Sequence, residues 1–130
     1  MFNFEFMDKA ELQHRTKIFA VDIIKFVGEL PSNKAINILV NQLLRSSTSV
    51  GANYRAACKG KSIADFINKI VIVEEEADES IYWLELMEES GLVQSDKLIL
   101  LKKEAKELTA IFTAIGKTAK ENQRNSKNLK

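Results

Sequence analysis

The sequence predicts an all-α fold, an up-down-up-down antiparallel four-helix bundle, and three observations predict it. Apolar residues recur at steps of three and four over most of the chain, the period of one helix face. The 130 residues include only 5 glycines and 1 proline, too little turn-forming material for many short elements. Of the six, Pro31, Gly60 and Gly91 fall where three connections would be needed. With 45% hydrophobic residues, a chain of this length supports one domain with its own core.

The first helix is expected over about 8–28, with Leu12, Phe19, Ile23 and Phe26 as its buried stripe. Asp8 is its N-cap, with Glu11 three residues on to complete a capping box. Leu30-Pro31-Ser32-Asn33 ends it, because proline lacks an amide donor and disfavours α geometry in the residue before it. The second helix, about 33–59, carries Ile36, Val40, Leu43, Ser47, Val50, Tyr54 and Ala57, and Gly60 is expected to close it in a left-handed conformation. The third, about 62–91, opens at Ser62 with Asp65 complementing the helix dipole in the first turn. Its stripe is Ile63, Phe66, Ile70, Val73, Ala77, Ile81, Leu84 and Met87. The fourth, about 95–119, presents Leu98, Leu101, Ala105, Leu108, Phe112, Ile115 and Ala119. Short connections return each helix beside its predecessor. The domain thus covers 1–120, and residues 121–130, where apolar residues have thinned out, are expected to form a basic, frayed tail.

Charge interrupts every apolar run before the roughly 18 residues a bilayer span requires, so no membrane partner is expected. The N-terminal segment mixes Phe2, Phe4 and Phe6 with Glu5 and Asp8 and lacks the basic start and apolar core of a secretory signal, which points to a cytoplasmic protein. Cys58, the single cysteine, has no thiol to pair with. Glu76 and Glu79 stand one turn apart, as in dinuclear carboxylate sites, but such sites also need Glu-x-x-His motifs on facing helices. The only histidine is His14, between Gln13 and Arg15, so neither a metal nor a cofactor is expected. Ser46, Ser47, Thr48, Ser49 and Asn53 lack a neighbouring histidine to activate a hydroxyl. No catalytic residue is assigned, and the protein is read as a non-enzyme. The small polar run instead suggests close helix approach and a buried polar network of Ser49, Asn53, Glu76 and Glu79.

Two surfaces remain. The third helix has a second apolar stripe, Ile72, Trp83 and Leu86, and the first adds Ala20, Ile24 and Val27 beside its core positions. Either the third helix has a wide core face with the indole at the bundle edge, or Ile72, Trp83 and Leu86 form an oligomer interface. Arg45, Arg55, Lys59, Lys61 and Lys69 offer a surface for RNA or DNA phosphates, with Arg45, Thr48, Ala52, Arg55 and Lys59 in helical register; the alternative is an ordinary solvated face. Formal net charge is only +1, yet Glu74 to Glu89 holds eight acids and no base, while Gly116 to Lys130 holds five bases and one acid. These regions can pair within a bundle or between subunits, and the acidic helix could alternatively dock a basic partner protein.

Lys34-Ala35-Ile36 followed by Gln42-Leu43-Leu44-Arg45-Ser46-Ser47-Thr48-Ser49-Val50-Gly51-Ala52-Asn53 forms one recognisable stretch. Asp65-Phe66-Ile67-Asn68-Lys69 followed by Glu76-Ala77-Asp78-Glu79-Ser80-Ile81-Tyr82-Trp83-Leu84 forms another. Together they resemble the four-helix bundle proteins encoded in intervening sequences of bacterial 23S rRNA genes, over about residues 10–118. That family is related to the accessory variability protein of diversity-generating retroelements, which binds nucleic acid and a reverse transcriptase. The resemblance implies a non-enzymatic, ring-like homo-oligomer, a homopentamer, acting as a nucleic-acid-binding accessory protein. Glu75 and Asp78 stand where many relatives carry basic residues, which makes this third helix more acidic than the resemblance implies.

Overall fold

In a computed structural model, residues 7–128 are described; the reading of Phe2, Phe4 and Phe6 and the last two residues of the expected tail lie outside the described residues. Four helices follow in order: α1 (Lys9–Gly28), α2 (Lys34–Cys58), α3 (Ile63–Glu89) and α4 (Asp96–Asn128). There is no strand among the described residues. Three N-termini are capped as their residue types dictate. The side chains of Asp8, Asn33 and Ser62 accept the amides of Glu11, Ile36 and Asp65 at 2.8, 2.9 and 3.1 Å, each satisfying an amide with no partner inside its helix.

The C-terminal ends differ from expectation at Gly60. The only glycine with positive φ among the described residues is Gly91, at 76°. Just beyond it, the Val93 amide reaches back to the Met87 carbonyl at 3.2 Å, and the buried Val93 side chain seals the end of α3. Gly60 serves another purpose: a Cβ there would stand 3.1 Å from the Ala57 carbonyl oxygen, so glycine is needed for close approach rather than for handedness.

The fourth helix also ends later than expected. α4 continues through Lys120 to Asn128, past the predicted end at 119. Residues 120–128 contain no glycine or proline and several good helix formers, so the loss of apolar residues marks where core contact ends, not where the helix ends.

α1 packs against α2 and α4, and α3 against the same two helices, leaving α1 and α3 diagonal across a shared core. Phe19, Ile23, Leu43, Val50, Ile70, Val73, Leu84, Met87, Leu108 and Phe112 are all buried there. The rings of Tyr54 and Phe112 meet at 5.2 Å and 57°, joining α2 to α4. Burial, with Cys58 close by, pushes the Tyr54 phenol well above its ordinary pKa and keeps it neutral.

Cross-helix contacts set the registers. Between α3 and α4, Lys102 reaches Glu88 at 2.6 Å, Thr113 donates to Glu74, and Gly116 sits beside Ile70, so the partners run in opposite sequence order. Between α1 and α4, Arg15 grips Glu104 through two bonds of 2.7 and 2.8 Å, and Lys97 reaches Glu29 at 2.8 Å. The hydrogen bond to Glu104 raises the Arg15 pKa. α1 meets α2 where Gly51 faces Thr16: an added Cβ would lie 3.2 Å from the threonine hydroxyl. Thr16 is itself buried and donates to the Gln13 carbonyl at 2.9 Å.

Candidate nucleic-acid interface

The basic residues of the sequence do not all meet. Arg55 lies in the last turn of α2, Lys59 and Lys61 in the turn after it, and Lys69 in the second turn of α3. All four are exposed, and none makes an ion pair among the described residues. Lys117 and Lys120 of α4 line a shallow groove with Ile70, Val71 and Glu74 of α3. With Gly116 level with Ile70 and both helices rising equally per residue, α4 passes the beginning of α3 near Gln123. Arg124 and Lys127 therefore project beyond it, exposed. Bases from α2, α3 and α4 thus gather at one end of the fold. The C-terminal charge run is visible in the sequence, but its position level with the start of α3 follows only from the packing of α4 on α3.

Arg45 stands apart from this group. Its guanidinium donates to Glu79 and, at 3.5 Å, to Glu76, both on α3, and the bond to Glu79 raises its pKa. Arg55 instead lines a groove against α1, together with Thr48 and Ala52. The ten-position step from Arg45 to Arg55 leaves the two directions about 80° apart on an ideal helix, enough to send one side chain to α3 and the other to α1.

The expected buried network of Ser49, Asn53, Glu76 and Glu79 is not what the helices bury. Ser49 and Asn53 are half-buried and bond back to the carbonyls of Arg45 and Ser49 at 2.6 and 2.9 Å. Glu76 and Glu79 hold Arg45, and Glu79 also accepts the Trp83 indole N–H at 3.1 Å. The buried polar contact is between Ser46 and Ser80, whose hydroxyls meet at 2.9 Å. These two face each other across α2 and α3, whereas Ser49 lies nearer the rim of the contact. The Ser47 hydroxyl is buried without a partner among the described residues, and such a group costs about 1–3 kcal/mol. Ser47→Ala is expected to stabilise the protein by about 1 kcal/mol, while Ser46→Ala destabilises it by a similar amount. Urea unfolding should show opposite shifts in midpoint at constant slope.

Of the apolar stripe, Ile72 is exposed while Trp83 and Leu86 are half-buried. Trp83 packs on the core and edge-on against Tyr82 at 5.1 Å, so its indole lies at the edge of the fold. Exposed apolar residues also line α1, at Ile18, Val21 and Ile24, and α4, at Ile99 and Leu100, which is 66% exposed. Ile18 and Val21 lie outside the stripes expected from the sequence, although the three-residue spacing 18, 21, 24 behind the core stripe is their signal. Among the described residues, no three His, Cys, Asp or Glu side chains gather as metal ligands would, and no helix is long and apolar enough to cross a membrane.

The sequence pattern of 23S rRNA-intervening sequence proteins matches residues 8–114. The chain belongs to this family. Its fold is similar to that of a protein of unknown function from the S23 ribosomal protein family of Bacteroides thetaiotaomicron VPI-5482. That crystal structure is 32% identical in sequence, with a TM-score of 0.77 over 85% of this chain and 99% of the other. No curated protein matches. The family pattern spans α1, α2, α3 and the first half of α4 and ends before Lys117, Lys120, Arg124 and Lys127. In this 23S rRNA-intervening sequence protein, much of the basic end lies beyond the matched stretch.

Proposed function

We propose that this 23S rRNA-intervening sequence protein is a non-enzymatic accessory protein of the cytoplasm, a ring-like homopentamer that binds RNA or DNA. The observation that supports nucleic-acid binding is the cluster of bases at one end, Arg55, Lys59, Lys69, Lys117 and Lys120 in or beside α2, α3 and α4, none with an ion pair among the described residues. Such a cluster attracts phosphates by neutralising charge and releasing counterions. The opposite sequence order of partners on α3 and α4 is what up-down-up-down helices would produce.

Assembly is supported by the exposed apolar residues. Ile18, Val21 and Ile24 lie on α1, while Ile72 and Tyr82 lie on α3, the diagonal helix. A ring closes when two different patches on each subunit meet head to tail, and patches on diagonal helices suit that arrangement. The rival reading, an acidic α3 that docks a basic protein, has less support, because Glu74, Glu76, Glu79 and Glu88 already engage Thr113, Arg45 and Lys102.

The test is an anisotropy titration with labelled RNA and DNA at two salt concentrations. Binding should weaken steeply with salt. The triple substitution of Lys59, Lys69 and Lys120 to alanine should reduce both the affinity and its salt slope, by about one unit for each phosphate that is no longer neutralised. Absence of binding at low salt, or an unchanged slope in the triple variant, removes the nucleic-acid assignment.

A further inference from the structure

A groove of about 530 Å³ runs between α1 and α2, beside the basic end. Its polar lining includes His14 and Lys17 from α1 and Arg55 from α2, with the amide of Gln13, and among the described residues no carboxylate belongs to it. Neither Lys17 nor Arg55 has an ion-pair partner among the described residues. Other charged groups that reach a second helix are held by a carboxylate: Arg15 by Glu104, Arg45 by Glu79, Lys97 by Glu29 and Lys102 by Glu88. A concave surface that gathers cations without a counter-charge is electrostatically incomplete, and an oxyanion completes it through charge-assisted hydrogen bonds.

The shape agrees with the charge. At Gly51 and Ala52 the α2 wall carries no bulky side chain, and Thr16 forms the buried base beneath Gly51. The volume falls in the range of small-molecule sites, room for a phosphate with its attached sugar and base rather than a lone ion.

We infer that the α1–α2 groove is a phosphate-binding site, in which Arg55 clamps a phosphomonoester or phosphodiester from one side and Lys17 and His14 contact it from the other. The inference rests on the nucleic-acid reading only for the source of the phosphate, since a free mononucleotide and a nucleic-acid backbone carry the same group.

Calorimetric titration distinguishes the sources. Adenosine monophosphate, adenosine and a 5′-hydroxyl oligonucleotide are titrated into the full chain and into Arg55→Ala, Ala52→Glu, Lys34→Ala and Lys120→Ala variants. Ala52 and Arg55 are exposed, so melting curves should confirm that both variants remain folded. Adenosine monophosphate should bind the native protein about tenfold more tightly than Arg55→Ala, the loss expected for one charge-assisted contact. It should not bind Ala52→Glu, which places a carboxylate in the groove, and should be unaffected by Lys34→Ala at the far end of α2. Adenosine should not bind. If the oligonucleotide also binds and loses affinity in Arg55→Ala, the backbone is a source; if only the mononucleotide binds, the groove stands and the nucleic-acid reading fails. The groove is overturned if adenosine monophosphate does not bind, if adenosine binds equally well, or if Arg55→Ala and Ala52→Glu bind as the native protein does. Oligonucleotide binding weakened by Lys120→Ala alone would then preserve the nucleic-acid reading without the groove.

Discussion

Phe112→Ala should destabilise the protein by about 3–5 kcal/mol, the range for deleting a fully buried aromatic side chain. Phe112 is completely buried, and its ring meets Tyr54 of α2 at 5.2 Å. Truncation loses the transfer energy of the ring and leaves a cavity in a core cluster whose members are themselves buried and held on helices. The substitution also bears on function, since Phe112 anchors α4 one to two turns before Lys117 and Lys120. Urea unfolding measures the loss. A cost below about 1 kcal/mol would mean that α4 is not docked on α2 through this contact.

The second large effect concerns assembly. Ile24 is 50% exposed on α1, so a carboxylate placed there meets water in an isolated subunit and should disturb the fold little. In an interface the same carboxylate would be buried without a partner, at a cost of about 3–5 kcal/mol. Ile24→Glu is therefore expected to raise the dissociation concentration by at least about a hundredfold while leaving the far-ultraviolet spectrum and melting cooperativity of a folded helical protein. Analytical ultracentrifugation over a dilution series reads the effect. An unchanged sedimentation profile would remove α1 from the interface and leave Ile72 and Tyr82 of α3, or Leu100 of α4, to account for the exposed apolar surface.

Much of the fold is legible in the residues because its decisive signals are local. Asp8, Asn33 and Ser62 start helices by accepting amides three residues on, and the buried residues of one helix, such as Leu12, Phe19, Ile23 and Phe26 of α1, keep helical spacing. Local signals also explain the misreadings. Gly60 looks like a left-handed terminator, but the tight path to α3 uses it for lack of a Cβ. The end of α4 looks frayed because apolar residues stop, yet helix propensity continues without them.

The candidate site is less legible, since it depends on rotation and register between helices. Arg45 and Arg55 share an approximate helical step, but the accumulated offset takes one to Glu79 and the other to the α1 groove. The polar run suggests burial of Ser49, whereas the residue that meets α3 is Ser46, three positions earlier. Likewise, His14 and Lys17 join Arg55 only because Gly51 brings α2 close to Thr16. No spacing along one helix reports such a meeting.

The proposal that this chain acts as one subunit of an assembly is tested most directly by the mass of the native protein in solution. Size-exclusion chromatography with light scattering, across a dilution series, should give five times the 14.7 kDa of one chain at high concentration. A mass of 14.7 kDa at every concentration would contradict it, and the exposed Ile18, Val21 and Ile24 would then be the surface of a monomer.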